Sequence, residues 1–117
     1  MLIQNEVPIV LKAADFYQEL YLKIEKMPKK DKYILGEKLS LTTLDLMELL
    51  LMAGNSNNQK EKKSLLLKAS IKLDLLKILI RLAEEIKAMP TKHYLSLQER
   101  LQEIGRMLGG WIKAIKI

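Results

Sequence analysis

"KASIKLDLLKILIRLAEEIKAM", residues 68–89, decides the fold. Placed on a helical wheel at about 100° per residue, its polar side chains gather. Ser70, Asp74, Lys77, Arg81, Glu84 and Glu85 share one narrow stripe. Nearly everything else is apolar. Leu67, Ile71, Leu75, Ile78, Leu79 and Leu82 lie on one side, and Leu66, Leu73, Leu76, Ile80 and Ala83 on the other. A surface helix of a small bundle needs an apolar stripe a little wider than about 100°. This helix has far more. Either it is covered from both sides, by its own bundle and by another subunit, or it is the central helix of a monomer. Apolar patches of this extent usually mark contact surfaces. An oligomer is therefore expected, with Leu75, Leu79 and Leu82 in the oligomer contact or in helix packing. Lys68 and Lys72 break the apolar arc one turn apart. Lysines near a helix end can snorkel, stem packed and ammonium in water. In an oligomer the same two could point into a solvent-filled channel.

Working outward, this third helix is predicted from about residue 60 to 89, where Pro90 stops it. "GNSNNQ" at residues 54–59 has turn-formers and no apolar residue, so it is a loop. The second helix is predicted over 29–53. Tyr33, Leu44 and Leu51 fall nearly in line on it, with Leu39, Leu46, Leu50 and Ala53 beside them. The first is predicted over 9–27, where Ile9, Ala13, Phe16, Leu20, Ile24 and Met27 step by three and four. Residues 1–8 read as a tail ending at Pro8. The fourth is predicted over 92–113 and carries Leu97, Leu101, Ile104 and Leu108 on one face. Ser96 and Glu99 have capping-box spacing, which leaves a start near Ser96 open.

"KMPKKDKYILGEKL" at residues 26–39 is echoed by "AMPTKHYLSLQERL" at 88–101. Each puts Met-Pro at a helix junction, then basic residues, a tyrosine and a leucine-rich helix. Two αα-hairpins follow, and they pack as an up-down-up-down four-helix bundle. The fold class is all-α, with a single domain over 9–117. Hydrophobic residues are 49% of the chain but aromatics only 5%, so the core is aliphatic.

In this topology both Met-Pro turns fall at one end of the bundle. Lys26, Lys29, Lys30, Lys32, Lys87, Lys92 and His93 gather there, with only Asp31 as a local offset. Net charge is +6. A positive pole suits an acidic partner such as nucleic acid. Lys12, Lys23 and Arg100 could extend the pole along the flank. The alternative for each lysine is ordinary solubility.

Gly109 and Gly110 precede the only tryptophan, Trp111. Each glycine costs a helix about 1 kcal/mol against alanine. They could allow close contact with a neighbouring helix or subunit, or they could form a C-cap with Trp111 folding back on the core.

Most chemistry is missing. There is one histidine and no cysteine, too few ligands for a zinc or di-iron site, and no phosphate-binding loop or nucleophile elbow. Glu84 and Glu85 sit on the polar stripe, where a solvated face is expected. No enzyme activity, cofactor or metal is expected. No apolar run reaches membrane-spanning length, because Asp45, Glu48, Lys77 and Arg81 interrupt the longest ones. The start of the chain does not read as a signal peptide, and the absence of cysteine fits a reducing compartment, so a cytoplasmic protein without a membrane partner is expected.

The order "KAADFYQELYLKIEKMPKKDKYILGEKL", then "KLDLLKILIRLAEEIKAMPTKHYLSLQERLQEIGRMLGGWIK", resembles the accessory variability determinant (Avd) family of diversity-generating retroelements over nearly the whole chain. "IGRMLGGWIK", residues 104–113, is the most specific part. "MPKKDKY" is also similar to the wider four-helix-bundle family encoded in intervening sequences of ribosomal RNA genes. That family usually ends its second helix with an Asn-Ile-Ala-Glu-Gly-like motif, whereas this chain has "LLMAGNS". The resemblance implies a homopentameric barrel of bundles with a basic surface. It also implies association with the retroelement's reverse transcriptase and its RNA or DNA, in bacteria, archaea or their phages, and no catalytic centre. Under it, Lys68 and Lys72 approach the barrel axis, while Gly109, Gly110 and Trp111 support packing. The competing reading is a structural or protein-interaction bundle of the wider family with no nucleic-acid role.

Overall fold

The computed structural model describes residues 7–116. Four helical segments follow one another. Helix α1 spans Val7–Glu25. Helix α2 begins with a single α-helical turn, Lys29–Asp31, passes through a π-helical turn, Lys32–Gly36, and continues as an α-helix over Glu37–Asn55. Helix α3 spans Gln59–Glu85 and α4 spans Thr91–Ala114. Among the described residues there is no strand. Short connections make successive helices antiparallel. Each helix packs against its chain neighbours, and α4 returns to close the ring against α1. The bundle measures 45 × 23 × 19 Å. The all-helical bundle expected from the periodicity is what the chain forms.

The inward faces are aliphatic. Ile9, Ala13, Phe16, Leu20 and Ile24 of α1 meet Leu39, Leu46, Leu50 and Ala53 of α2. Leu66, Ala69, Leu73, Leu76, Ile80 and Ala83 of α3 and Leu97, Leu101, Ile104 and Leu108 of α4 complete the core. Phe16 is the one fully buried aromatic side chain among the described residues. Full burial of each Leu, Ile or Phe contributes about 1.5–3 kcal/mol before chain entropy is charged against it. The line of Tyr33, Leu44 and Leu51 turns outward and is exposed, so the seam of α2 is the Leu39-to-Ala53 row alone. Two threonines fill the rest of that seam. Thr43 Oγ1 donates to the Leu39 carbonyl at 2.8 Å, while Thr42 Oγ1 is buried without a partner.

The helix ends differ from their predicted positions. Val7 and Pro8 belong to α1 rather than to a tail, because proline fits the first helical turn, where its missing N–H is not needed. Residues 1–6 of that tail lie outside the described residues. Helix α1 ends at Glu25, two residues before Met27. Helix α3 stops at Glu85, not at 89, and closes in a Schellman turn. The Ala88 N–H donates to the Ala83 carbonyl at 2.8 Å and the Lys87 N–H to the Glu84 carbonyl at 3.0 Å. Lys87 takes the left-handed position, φ 64°, that glycine usually fills.

Helix α4 starts at Thr91, directly after Pro90. Ser96 is inside it and donates to Glu19 of α1 instead of capping. The side-chain cap with an acid three residues on is at Asn58. Its Oδ1 accepts the Glu61 N–H at 3.0 Å, and Glu61 returns to Ser56 Oγ at 2.6 Å.

Candidate nucleic-acid and partner interface

Both Met-Pro junctions do sit at one end of the bundle, where they share an open groove. Lys26 and Pro28 line it from the first junction and Lys87, Ala88, Met89, Pro90 and Thr91 from the second. Lys26, Lys29, Lys30, Lys87 and Lys92 are exposed and Lys32 is half-buried. Among the described residues none of these six makes an ion pair. Free ammoniums of this kind can follow a phosphate chain without reading its sequence. Burial, and then Lys23, Lys26 and Lys92 nearby, hold the His93 imidazole below its ordinary pKa.

The pole is less purely positive than the sequence suggested. Glu84 and Glu85 line the same groove, and Thr91 Oγ1 donates to Glu84 Oε2 at 2.8 Å. Glu85 is exposed and Glu84 half-buried on the polar stripe of α3, and the end of that stripe lies at the pole because α3 ends there. Asp31 is therefore not the only acid there.

The flank residues are engaged elsewhere. Glu19 of α1 accepts from Lys23 Nζ at 2.6 Å, from Ser96 Oγ at 2.5 Å and from Arg100 Nε. Burial pushes the Glu19 carboxyl up, but these three donors outweigh it and hold the pKa at about 2. Ser96 and Arg100 thus join α4 to α1, Lys23 pairs within α1, and neither Lys23 nor Arg100 is free to extend the pole. Lys12 pairs with Glu103 at 3.3 Å across the same seam.

On the other side, Lys72 pairs with Asp45 of α2 at 3.3 Å. Lys68 is exposed and makes no ion pair among the described residues. Lys72 therefore has a partner inside its own bundle. Around that pair the outer face of the α2–α3 hairpin is apolar. Leu41, Leu44, Leu51 and Met52 of α2 and Leu67, Ile71, Ile78 and Leu82 of α3 are each 40% exposed or more. Leu75 is half-buried, and Leu79 is half-buried against the bundle's own core. The apolar excess read from α3 is thus real surface in a single bundle, and α2 doubles it. Four apolar side chains of α2 were missed as surface, although Leu41, Leu44, Leu51 and Met52 fall opposite the buried row at helical spacing.

Gly109 and Gly110 lie within α4, which continues to Ala114, so they are not a C-cap. A Cβ added at either would meet nothing within 4 Å. No close helix contact within the bundle requires them. Trp111 is half-buried and packs against the edge of the core. Gly105, one turn earlier, is the glycine of α4 that does approach a neighbour, with Leu73 Cδ2 3.4 Å from its would-be Cβ.

No three His, Cys, Asp or Glu side chains gather as a metal site among the described residues. Among those residues, no helix is long and apolar enough to cross a membrane.

Together these features define a basic four-helix bundle with a lysine-bearing end and an apolar outer flank. The family is shown by sequence comparison. A family model described as bAvd-like matches residues 7–115, and the chain belongs to that family. No curated protein matches the chain.

Proposed function

We propose that the protein is a non-catalytic accessory subunit of a diversity-generating retroelement. In this reading it binds the retroelement's reverse transcriptase and its RNA or DNA, and so supports mutagenic reverse transcription and retrohoming in the cytoplasm. Membership of the bAvd-like family supports the accessory role. The observation that carries the nucleic-acid part is the convergence of both Met-Pro junctions on one end, where Lys26, Lys29, Lys30, Lys32, Lys87 and Lys92 outnumber Asp31, Glu84 and Glu85 and, among the described residues, form no ion pair. Lys87 adds weight, because a non-glycine residue at φ 64° is held at a cost of about 1–2 kcal/mol.

Self-association into a homopentamer belongs to the same reading. A closed ring needs apolar surface outside the subunit core, and the α2–α3 outer face offers it. Leu82 on that face, with the half-buried Leu75 beside it, joins the contact. Gly109 and Gly110, open within one subunit, leave room for a neighbour to approach, with Trp111 at the edge of that contact. Lys68 then faces solvent at the border of the contact.

The test combines two readouts. RNA affinity is measured against salt concentration for the wild type and for Lys29→Glu/Lys30→Glu/Lys87→Glu. The expected result is a steep salt dependence that the triple variant flattens, with an unchanged helix signal. RNA binding should also raise the His93 titration midpoint as phosphates offset the lysines around it. RNA affinity that is unchanged in the variant would remove the pole from the proposal and favour a bundle that binds protein alone.

A further inference from the structure

Tyr17, Tyr21 and Glu25 follow one another at four-residue spacing on α1, as do Tyr33 and Glu37 on α2. Across the α1–α2 seam these two rows line one groove, with Lys32 at its edge. The Tyr17 and Tyr21 ring centroids are 6.5 Å apart and inclined by 36°. Tyr21 and Tyr33 are 53% and 63% exposed, so neither ring is spent on the core. Three of the chain's four tyrosines meet here.

The π-helical turn builds the groove. It carries Tyr33 and Ile34 outward, while the buried Gly36 seats the turn on α1. A Cβ on Gly36 would lie 2.8 Å from Ile24 Cγ2, so only glycine lets α2 come this close.

The charge of the groove differs from that of the pole beside it. Glu25 and Glu37 are exposed and make no ion pair among the described residues. They outnumber the single ammonium of Lys32. A phosphate chain entering here would meet two carboxylates. A cation would meet those carboxylates together with the negative faces of phenol rings. Arginine fits better than lysine, because its planar guanidinium both stacks on a ring and pairs bidentately with a carboxylate.

We propose that the groove of Tyr17, Tyr21, Tyr33, Glu25 and Glu37 receives an arginine-bearing segment of a protein partner. The lysine pole and the tyrosine groove then divide the labour, one taking phosphates and the other a cationic stretch of polypeptide. The proposal rests on the accessory-subunit reading only for which protein supplies that segment.

The experiment follows the tyrosine ring signals and backbone amides of the intact chain by NMR. A short arginine-containing peptide and a uridine oligonucleotide are titrated separately. The peptide should shift the Tyr17, Tyr21 and Tyr33 ring signals and the Gly36 amide. Glu25→Gln/Glu37→Gln should weaken peptide binding about tenfold, the loss expected when a charge-assisted hydrogen bond becomes neutral. Tyr33→Ala should weaken it several-fold, at a site too exposed to threaten the fold. The oligonucleotide should shift amides at Lys29, Lys30, Lys87 and Lys92 and leave the tyrosine rings alone. Tyrosine signals that move with the oligonucleotide would overturn the proposal and make the groove a base-stacking site. A double variant that binds the peptide as tightly as the wild type would also overturn it. So would a fall in solution mass caused by the same variants, which would mean that a second copy of the chain fills the groove. An oligonucleotide that shifts nothing counts against the pole alone, because the peptide arm does not depend on nucleic acid.

Discussion

The two Met-Pro junctions solve one problem with different devices. Aligned without a gap, Met27 matches Met89, and both are buried, at 5% and 3% exposure. Pro28 matches Pro90, and each carbonyl accepts the first N–H groups of the helix it opens. Leu39 matches Leu101 and Leu46 matches Leu108, all in the core. Beyond this shared frame the halves diverge. The first junction puts its irregularity after the proline, as the π turn and Gly36. The second puts it before the proline, as the Schellman turn and Lys87, and then runs straight through α4. Gly36 matches Gln98, whose Oε1 is buried without a partner, and Thr42, with its orphan hydroxyl, matches Ile104. Ile34 and Lys38 stand where α4 has Ser96 and Arg100, the two donors that reach Glu19 from another helix. A common anchor therefore tolerates distinct local backbones, and each irregularity shapes a different surface. One makes the tyrosine groove and the other aims Lys87 into the pole.

If the anchor is shared, Met27→Ala and Met89→Ala should each cost about 2–4 kcal/mol by chemical denaturation, because both delete a buried side chain. Costs that differ by more than half would break the equivalence. Gly36→Ala should cost about 1–3 kcal/mol, since Ile24 is β-branched and cannot swing its Cγ2 away freely. No similar clash exists in α4, where alanine at Gly109 or Gly110 should leave the monomer as stable or more so.

Glu19→Gln should cost about 1–3 kcal/mol by weakening the α1–α4 junction that only the second half possesses. The sign with pH follows from the depressed pKa. A carboxyl held at about 2 rather than 4.5 stabilises the fold fully above 4.5, and the contribution fades as pH falls through about 2. The wild type should lose stability across that window in acid titrations, and the Gln variant should lose less.

The smallest effect sharpens the contrast between stability and function. Lys87→Gly should raise stability by about 1 kcal/mol by relieving the left-handed backbone, while RNA affinity falls. A thermal melt and a binding curve on the same variant read both. A variant that gains stability with no loss of affinity would leave the strain at Lys87 without a role.

The faces of the bundle were legible from spacing, and its ends were not. The α4 core and most of the α3 core, all but Leu65 and Ala69, were present in the periodic pattern, because burial selects for side-chain chemistry. The end of α3 was hidden because Ala88 and Met89 remain apolar and buried after the helix has stopped. The start of α4 was ambiguous because Ser96 is a good cap in isolation but has Glu19 as a tertiary partner. "KYILG" gives no local sign of a π turn, since what forces it is the approach of Gly36 to α1. Among candidate site residues, the exposed pole lysines could be read from topology. The engagement of Lys12, Arg100 and Lys72 could not, because each partner lies on a facing helix, whereas the Glu19–Lys23 pair is at i,i+4 spacing within α1. The tyrosine pair at Tyr17 and Tyr21 was visible at helical spacing, but its groove needs Tyr33 from the next helix.

The order of the helices around the ring has a kinetic side. Each helix closes against the one before it, so three of the four seams join neighbours in the chain. Only the α1–α4 seam, fastened at Glu19, needs the two ends of the sequence to meet. Closing a long loop carries the larger entropic cost, and folding through local contacts is fast. That seam should therefore close after the rate-limiting barrier has been crossed. Glu19 then sets how long a folded molecule lasts more than how quickly it forms: its replacement should speed unfolding and leave the folding rate nearly untouched.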